Sequence, residues 1–505
     1  MLFSQDVENK RTGYGATMIQ SVLIANRGEI ARRIIRTCKR LGIRSVAIYS
    51  EADRLSLHVR EADEAIGIGG YTPLESYLVI DKILEAAEQS GAEAIHPGYG
   101  FLAENPAFAQ AVIDSGRIFI GPKPETIRLL GDKTAARQLA QQHNIPLLPG
   151  TTEALTSVEQ ALAVAQEIGY PVLLKAAAGG GGKGMRVVYS EKELPSAFAA
   201  AQSEAFSAFG DRRVFIEKFL ERPRHIEIQI IADTQGNVLY FPERECSIQR
   251  RHQKVVEESP SAAVTPELRE AIGQAAARLA KAAGYQNAGT VEFLMDEQGQ
   301  FYFMEVNTRL QVEHPVTEML TGLDLVELQI RIAGGEPLPL SQDQIQWKGH
   351  AIECRICAED VYNNFFPESG IVRFLQEPEG DHVRVDSALF VGYEASVHFD
   401  SMVAKLIVWG ADRSEAIHRM QEALARYHLA GFNTTIPFCQ FVMRSTPFQQ
   451  GLYSTHFVEE QWDGKPDPEV CEMAAMIAAA AFVHKHQERA PIFAKEHPWK
   501  LSGSL

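Results

Sequence analysis

Phe303-Met-Glu305-Val-Asn307-Thr-Arg309-Leu-Gln311-Val-Glu313-His314 places Glu, Asn, Arg, Gln and Glu on successive odd positions, with Met304, Val306, Leu310 and Val312 between them. A β-strand has a two-residue side-chain period, so this spacing predicts a strand with five polar groups along one face. The strand before it, Thr290-Val-Glu292-Phe-Leu-Met295, connects through Asp296-Glu-Gln-Gly-Gln300, and a two-residue turn at Gln298-Gly299 would set Glu292 opposite Glu305. Like charges directly across a sheet are destabilising, so this register makes sense with a divalent cation between the carboxylates. With Asn307 beside them, these oxygen ligands suit Mg²⁺ or Mn²⁺. The plain alternative is two solvated carboxylates on an edge hairpin.

Working outward, the chain opens as βαβ. Ser21-Val-Leu-Ile-Ala25 reads as a buried strand, Glu29 to Arg40 as a helix closed by Gly42, and Ser45-Val-Ala-Ile-Tyr-Ser50 as the next strand. A helix over Leu74 to Ser90, strands at 94–96 and 118–120 and a helix over 107–115 continue the alternation, predicting a doubly wound N-terminal domain. The turn Asn26-Arg-Gly-Glu29 lacks the G-x-G-x-x-G of dinucleotide sites, which argues against a nicotinamide enzyme.

At Pro171 to Tyr189 the pattern becomes strand, loop, strand around Gly179-Gly-Gly-Gly-Lys183-Gly184. A P-loop needs Ser or Thr after the lysine and then a helix, so Walker-type chemistry is excluded. A glycine hairpin can still close over phosphates because its N–H groups are free to point at them; a bulged turn is the equal alternative. Ile226 to Ile231 and Val238 to Phe241 read as a hairpin around Gln235-Gly-Asn237, and Pro266 to Ala283 as a helix.

The composition is that of an ordinary globular chain: 505 residues, 45% hydrophobic, 49 Lys and Arg against 65 Asp and Glu, net charge −16. The acidity argues against nucleic-acid binding, since duplex affinity comes mostly from neutralised phosphates. Against that background Arg244-Glu-Cys-Ser-Ile-Gln-Arg250-Arg251-His252-Gln-Lys254 is a concentrated cationic stretch. A solvated charge run is its simplest reading, but the carboxylate pair and the glycine hairpin point to phosphate or carboxylate binding. The six cysteines are too scattered for a disulfide scaffold, and Cys354 and Cys357, on a predicted strand, should face opposite ways. The apolar run Met473 to Val483 has 11 residues, too short for a membrane span, and its alanines predict a buried helix. The polar N-terminus carries no secretory core, so the cytoplasm is expected.

These strings identify a resemblance. From about Gln20 to Gln461 the chain resembles biotin carboxylase, the ATP-grasp component of biotin-dependent carboxylases, through Ile24-Ala-Asn-Arg-Gly-Glu-Ile30, His96-Pro-Gly-Tyr-Gly-Phe101, Arg250-Arg-His-Gln-Lys254 and Glu305-Val-Asn-Thr-Arg-Leu-Gln-Val-Glu-His-Pro-Val316. The resemblance implies an α/β (α+β) fold: a doubly wound N-terminal domain (18–132), an ATP-grasp lid with the glycine flap (133–220), an ATP-grasp core (221–350), a C-terminal α/β subdomain (351–462) and an extension (463–505). It implies that ATP activates bicarbonate as carboxyphosphate, which yields CO₂ and phosphate, and that the ureido nitrogen of biotin is deprotonated and then carboxylated.

Carried over by residue, Lys133, Lys175, Gly180, Gly181, Gly182, Met185, Glu217, Lys218, Leu220, His225, Gln249, His252 and Leu294 resemble the ATP site. Glu292, Glu305 and Asn307 resemble ligands of two Mg²⁺ or Mn²⁺ ions. Lys254, Arg309, Gln311 and the Val312 N–H resemble the bicarbonate cradle, Glu313 the base, and Arg355 with Tyr99 the biotin site, where Arg355 stabilises the enolate. A carboxylate beside Arg309 is expected to stay ionised and able to accept a proton near neutrality.

The flap has four glycines before Lys183 where bacterial relatives often have a fifth and an arginine, which implies an altered closing rate. Arg40 replaces an acid that some dimeric members use opposite the residue matching Arg36, so a homodimer is left open. With no Ala-Met-Lys-Met site, the chain is expected to act on biotin held by a carrier protein, beside a carboxyltransferase subunit, as in acetyl-CoA carboxylase and fatty acid biosynthesis. The extension, with Pro498-Trp-Lys-Leu501, is expected to dock a partner. Another ATP-grasp ligase that makes an acyl-phosphate, or a nucleotide-binding subunit without turnover, are the alternatives.

Overall fold

The opening alternation closes into a five-stranded parallel sheet in the computed structural model, which describes residues 18–178, 184–466 and 468–487. Its elements are β1 (Ser21–Ile24), α1 (Gly28–Leu41), β2 (Arg44–Tyr49), α2 (Leu57–Glu61), β3 (Glu64–Gly67), α3 (Ile80–Ser90), β4 (Ala94–His96), α4 (Pro106–Asp114) and β5 (Ile118–Phe119), in the strand order β3-β2-β1-β4-β5. Val22, Leu23 and Ile24 are fully buried, as a parallel sheet covered on both faces requires. Gly42 ends α1 in the left-handed region (φ 70°).

The helix expected over Leu74 to Ser90 is broken in two. A short 3₁₀ turn at Pro73–Glu75 is closed by a Thr72–Glu75 capping box, and Ser76 leaves helical dihedrals before α3 starts at Ile80.

α5 (Pro124–Gly131), α6 (Lys133–Gln142) and α7 (Val158–Ile168) lead to a small sheet of β6 (Val172–Ala176), β7 (Arg186–Val188) and β8 (Val214–Lys218), ordered β7-β6-β8, with α8 (Leu194–Phe209) joining β7 to β8. Strand, loop, strand is thus the observed pattern, with Val172 opposite Val188. Gly180, Gly181 and Gly182 lie outside the described residues.

The large sheet contains β9 (Arg224–Ala232), β10 (Val238–Tyr240), β11 (Arg244–Arg250), β12 (Gln253–Ser259), β13 (Asn287–Met295), β14 (Phe301–Asn307), β15 (His350–Cys357) and the strands Met402–Gly410 and Val383–Ser387. Its order is β14-β13-β9-β11-β12-β15, then 402–410 and 383–387, with β10 beside β9. In β9, Ile226, Ile228 and Ile230 pack with Ile272 and Leu279 of α9 (Pro266–Ala282), so His225, Glu227 and Gln229 turn to the other face. Toward the far edge, Ile352, Cys354 and Ile356 pack with Ala416 and Met420 of α12 (Arg413–Ala425), which gives Glu353 and Arg355 to the opposite face. That polar face, covered by α10 (His314–Thr321) and α11 (Leu325–Ala333), is where the candidate residues collect.

Three further expectations are corrected. First, β14 stops at Asn307, so Arg309, Gln311 and Glu313 are not on a strand face. Glu104 takes the Thr308 N–H (2.9 Å) and Arg309 Nε (2.8 Å), pulling the chain off the sheet edge, and α10 begins with Pro315 in its first turn.

Second, the hairpin does not turn on two residues. Asp296 N donates to Gln300 O (2.9 Å), and Asp296 Oδ1 accepts from Gln298 N and Gln300 N, so three residues form the turn. A bulge between Glu292 and Phe293 compensates for the extra residue and restores Glu292 opposite Glu305.

Third, Pro468–Gln487 is helical but not buried: Met473, Met476 and Ile477 are each more than half exposed. Its apolar residues run round the whole helix, so no single face could be turned inward while the rest stayed polar.

Candidate active site

Two of the quoted strings are packing partners. Asn26 Nδ2 donates to Pro97 O and Tyr99 O, both at 2.8 Å, and Gly98 (φ 63°) lies so close that a Cβ there would meet Asn26 Nδ2 at 2.9 Å. Together they fix Tyr99, whose ring centroid lies 5.6 Å from Lys405 Nζ.

At the centre of the large sheet's polar face is Lys254. Its ammonium donates to Glu227 Oε2 (2.6 Å), Glu292 Oε1 (2.9 Å) and Glu313 Oε1 (2.6 Å). Glu313 Oε2 accepts from Arg355 Nη2 at 2.9 Å, and Arg355 Nε donates to Glu257 at 2.5 Å. Burial opposes ionisation of Glu313, but the Lys254 ammonium and the Arg355 and Arg244 guanidinium groups outweigh it and hold the carboxyl well below the usual range. Glu292 is likewise held low, against burial, by Lys254 and His225.

The ionised state expected for Glu313 is therefore present, with different partners. Arg309 reaches Glu104, Gln311 Oε1 (2.9 Å) and Asn307 Oδ1 (3.1 Å) rather than Glu313. The row nevertheless converges without a strand: Asn307 Nδ2 and Gln311 Nε2 both donate to Glu292 Oε1, at 2.8 and 3.2 Å. Lys405, fully buried, donates to Val312 O at 2.7 Å and steadies the loop on which Glu313 stands.

Toward the small sheet one pair is partly open and another is buried. Lys133, at the start of α6, pairs with Glu305 at 2.6 Å, and Lys133 N donates to Ala177 O, tying α6 to the end of β6. Lys175 pairs with Glu217 at 2.5 Å, and Arg137 holds the other Glu217 oxygen at 2.8 Å. His225 Nε2 lies 3.3 Å from Glu292 Oε2. His252, at the corner of the β11–β12 hairpin (φ 64°), is shifted down by desolvation and by the Lys175 charge. Gln249 turns back onto Cys246 O, and Lys218 donates to Gly169 O and Tyr170 O. Met185, Leu220 and Leu294 are half-buried, Leu294 on β13 directly opposite His225 on β9.

The carboxylate and amide oxygens of Glu292, Glu305 and Asn307 fit a hard divalent cation. Each carboxylate already faces an ammonium, Lys254 or Lys133, so positive charge is what this register calls for. Glu227, Glu104, Glu257 and Lys405 were not anticipated, and Arg244 was named only as part of a cationic stretch. An acid or lysine alternating with isoleucines inside a strand, such as Glu227 between Ile226 and Ile228, is a signal that could have revealed some of them.

Comparison with known proteins shows the family. Family models match as the biotin carboxylase N-terminal domain over 18–127, the carbamoyl-phosphate synthase L chain ATP-binding domain over 132–341 and the biotin carboxylase C-terminal domain over 353–460. The chain is 53% identical over 439 residues to the biotin carboxylase of Nostoc sp., covering 87% of this chain and 98% of that one. It is 51% identical over 491 residues to a pyruvate carboxylase subunit of Methanothermobacter thermautotrophicus, covering 94% and 100%.

Among solved structures, the biotin carboxylase domain dimer of the 2-oxoglutarate carboxylase of Hydrogenobacter thermophilus, in complex with MgADP, ADP and bicarbonate, superposes with a TM-score of 0.86 at 49% identity, covering 88% of this chain and 98% of that one. The biotin carboxylase of Campylobacter jejuni in a β,γ-ATP complex gives 0.86 at 47% identity, covering 88% and 99%. The chain belongs to the biotin carboxylase family, with an ATP-grasp fold.

Proposed function

We propose that this chain catalyses the ATP- and bicarbonate-dependent carboxylation of biotin carried on a separate protein, the first half-reaction of a biotin-dependent carboxylase. The observation that carries the reading is Glu313: a buried carboxylate kept ionised between Lys254 and Arg355 is a base placed among cations that suit anionic substrates.

Bicarbonate would be cradled by Lys254, Arg309, Gln311 and the Val312 N–H, where Glu313 takes its proton. Attack on ATP gives carboxyphosphate and ADP, and carboxyphosphate yields CO₂ and phosphate. Biotin passes its ureido proton to the phosphate so released, Arg355 stabilises the resulting enolate with Tyr99 beside it, and the ureido nitrogen then attacks CO₂, a use of preorganised positive charge for charge that develops during reaction.

ATP would be held by Lys133, Lys175, the Gly180, Gly181 and Gly182 flap, Met185, Glu217, Lys218, Leu220, His225, Gln249, His252 and Leu294. Glu292, Glu305 and Asn307 would hold Mg²⁺ or Mn²⁺, as two ions, which neutralises phosphate charge as it develops. The divisions at 132, 220, 350 and 462 stand as part of this reading.

A biotin carrier and a carboxyltransferase subunit complete the reaction, and the final acceptor belongs to the latter. The exposed apolar helix Pro468–Gln487 supports a docking role for 463–505. A homodimer is supported by the dimeric Hydrogenobacter structure. In this chain Arg40 is occupied by Asp324 (2.7 Å) and Glu327 (2.6 Å). The cytoplasm is the proposed compartment; among the described residues no helix is long and apolar enough to cross a membrane.

The test is ADP release with Mg²⁺-ATP and bicarbonate, with and without free biotin. Strong stimulation by biotin, lost in Glu313→Ala and Arg309→Ala, is expected. Cleavage indifferent to biotin would point to another ATP-grasp ligase.

A further inference from the structure

Beneath Arg355 lies a group of buried ionisable side chains that the reaction scheme does not use. Glu257 on β12 and Glu353 on β15 are directly opposite in the ladder, both fully buried, and Glu353 and Arg355 share a face of β15. Arg355 is opposite Lys405 in the next pair of strands. Glu257 spends one oxygen on Arg355 Nε; its other oxygen and both oxygens of Glu353 have no hydrogen-bond partner. Two carboxylates face to face in a dry sheet interior cannot both be charged without a cation between them.

Of the two acids Arg355 bonds to Glu257 alone, and among the described residues no cation bonds to their remaining oxygens. From the strand 402–410 comes Lys405, already given to Val312 O and lying 3.5 Å from the buried Glu29 of α1. From the loop before α10 comes Glu313, a further negative charge shared with Lys254. His314 on α10 is buried and driven neutral by burial and then by Lys405. Asp386 on the strand 383–387 is taken up by Arg36 and Arg384. On the opposite face α12 brings Arg413 to Glu258, not to this pair. Burial, followed for each by a cation that pulls the other way, leaves Glu257 and Glu353 both shifted upward, with Glu313 raising both and Glu257 raising Glu353.

We propose that Glu257 and Glu353 form a carboxylate pair sharing one proton, and that this pair positions Arg355 for the biotin enolate, so that both acids are positioning residues for the carboxylation step. With one proton on the pair, Glu257 holds Arg355 by its Nε edge and leaves the Nη2 edge for Glu313 and then for the enolate. Loss of that proton sets a second full charge beside the guanidinium and draws it away from the biotin side. The inference rests on the role given to Arg355 above.

The test uses the full chain with free biotin, reading ADP release with and without biotin as a function of pH, alongside the thermal midpoint and Mg²⁺-ADP affinity. In Glu257→Gln the ratio of biotin-stimulated to unstimulated release should fall at least tenfold, because the anchor of Arg355 weakens while Glu313 keeps Lys254. A merely structural role would lower both rates together. In Glu353→Gln, which cannot lose the proton, the alkaline limb of the stimulated rate should move up by about one pH unit or more. If that variant does not fold, the wild-type infrared band of a buried protonated carboxyl replaces it, and should vanish in step with the alkaline limb.

An unchanged ratio in Glu257→Gln, an unshifted limb in Glu353→Gln, or no such band would overturn the pair alone. A wild-type enzyme that ignores biotin would overturn the pair together with the proposed function.

Discussion

At the β12–β15 end of the site Lys254, Glu313 and Arg355 are joined at 2.6 and 2.9 Å around a carboxylate with no exposure, and every group has a second partner. At the β14 end Lys133 and Glu305 make one contact of 2.6 Å, with 16% and 21% of their side chains open to solvent. The first arrangement is preorganised: its charges were desolvated on folding, so little reorganisation is left for the reaction. The second is exchangeable, since a phosphate can take the lysine and a cation the glutamate at small cost. One sheet face thus carries a fixed end, proposed for the chemistry, and an adaptable end, proposed for the nucleotide.

The sharpest way to break this contrast is Glu313→Gln, which keeps shape and removes the base; we expect biotin-stimulated ADP release to fall about 10²–10⁴-fold, and a loss under tenfold would put the base elsewhere. Arg244→Met asks whether the fixed end also holds the fold together. Arg244 is fully buried against Glu227 and bonded to Gln229, Thr290 and Thr317. Removing it should cost about 3 kcal/mol in urea denaturation; a cost near zero would show that Lys254 alone satisfies Glu227.

At the adaptable end, Lys133→Met should raise the KM for ATP roughly tenfold, the loss of one charged hydrogen bond of about 1.5 kcal/mol, with little change in melting temperature. The smallest effect belongs to Arg186→Ala. Arg186 and Glu204 pair at 3.0 Å on the open surface of the small sheet, so the stability change should stay within about 0.5 kcal/mol.

What could be read in the sequence follows from range. The first sheet was legible because Ser21-Val-Leu-Ile-Ala25 and its successors carry local periodicity, whereas β3, only Glu64 to Gly67, carries too little to stand out. The Glu292–Glu305 pairing was read correctly although its turn was not, because a bulge restored the register. The polar row from Arg309 to Glu313 was found as a set but assigned the wrong backbone, since the Glu104 that pulls it off the sheet lies some two hundred positions earlier. Glu227, Glu257, Glu353 and Lys405 come together only through the order of the large sheet, which no local pattern encodes. The alanines of 473–483 correctly gave a helix but said nothing about what would cover it.

The most direct measurement is the transfer of labelled carbon from bicarbonate to biotin by the purified chain with Mg²⁺-ATP. We expect label on biotin in an amount equal to the ADP formed beyond the biotin-independent background, and none with Glu313→Gln. ADP formed under biotin stimulation with no labelled biotin, or labelling that survives Glu313→Gln, would contradict the assignment of this buried carboxylate as the base of a biotin carboxylase.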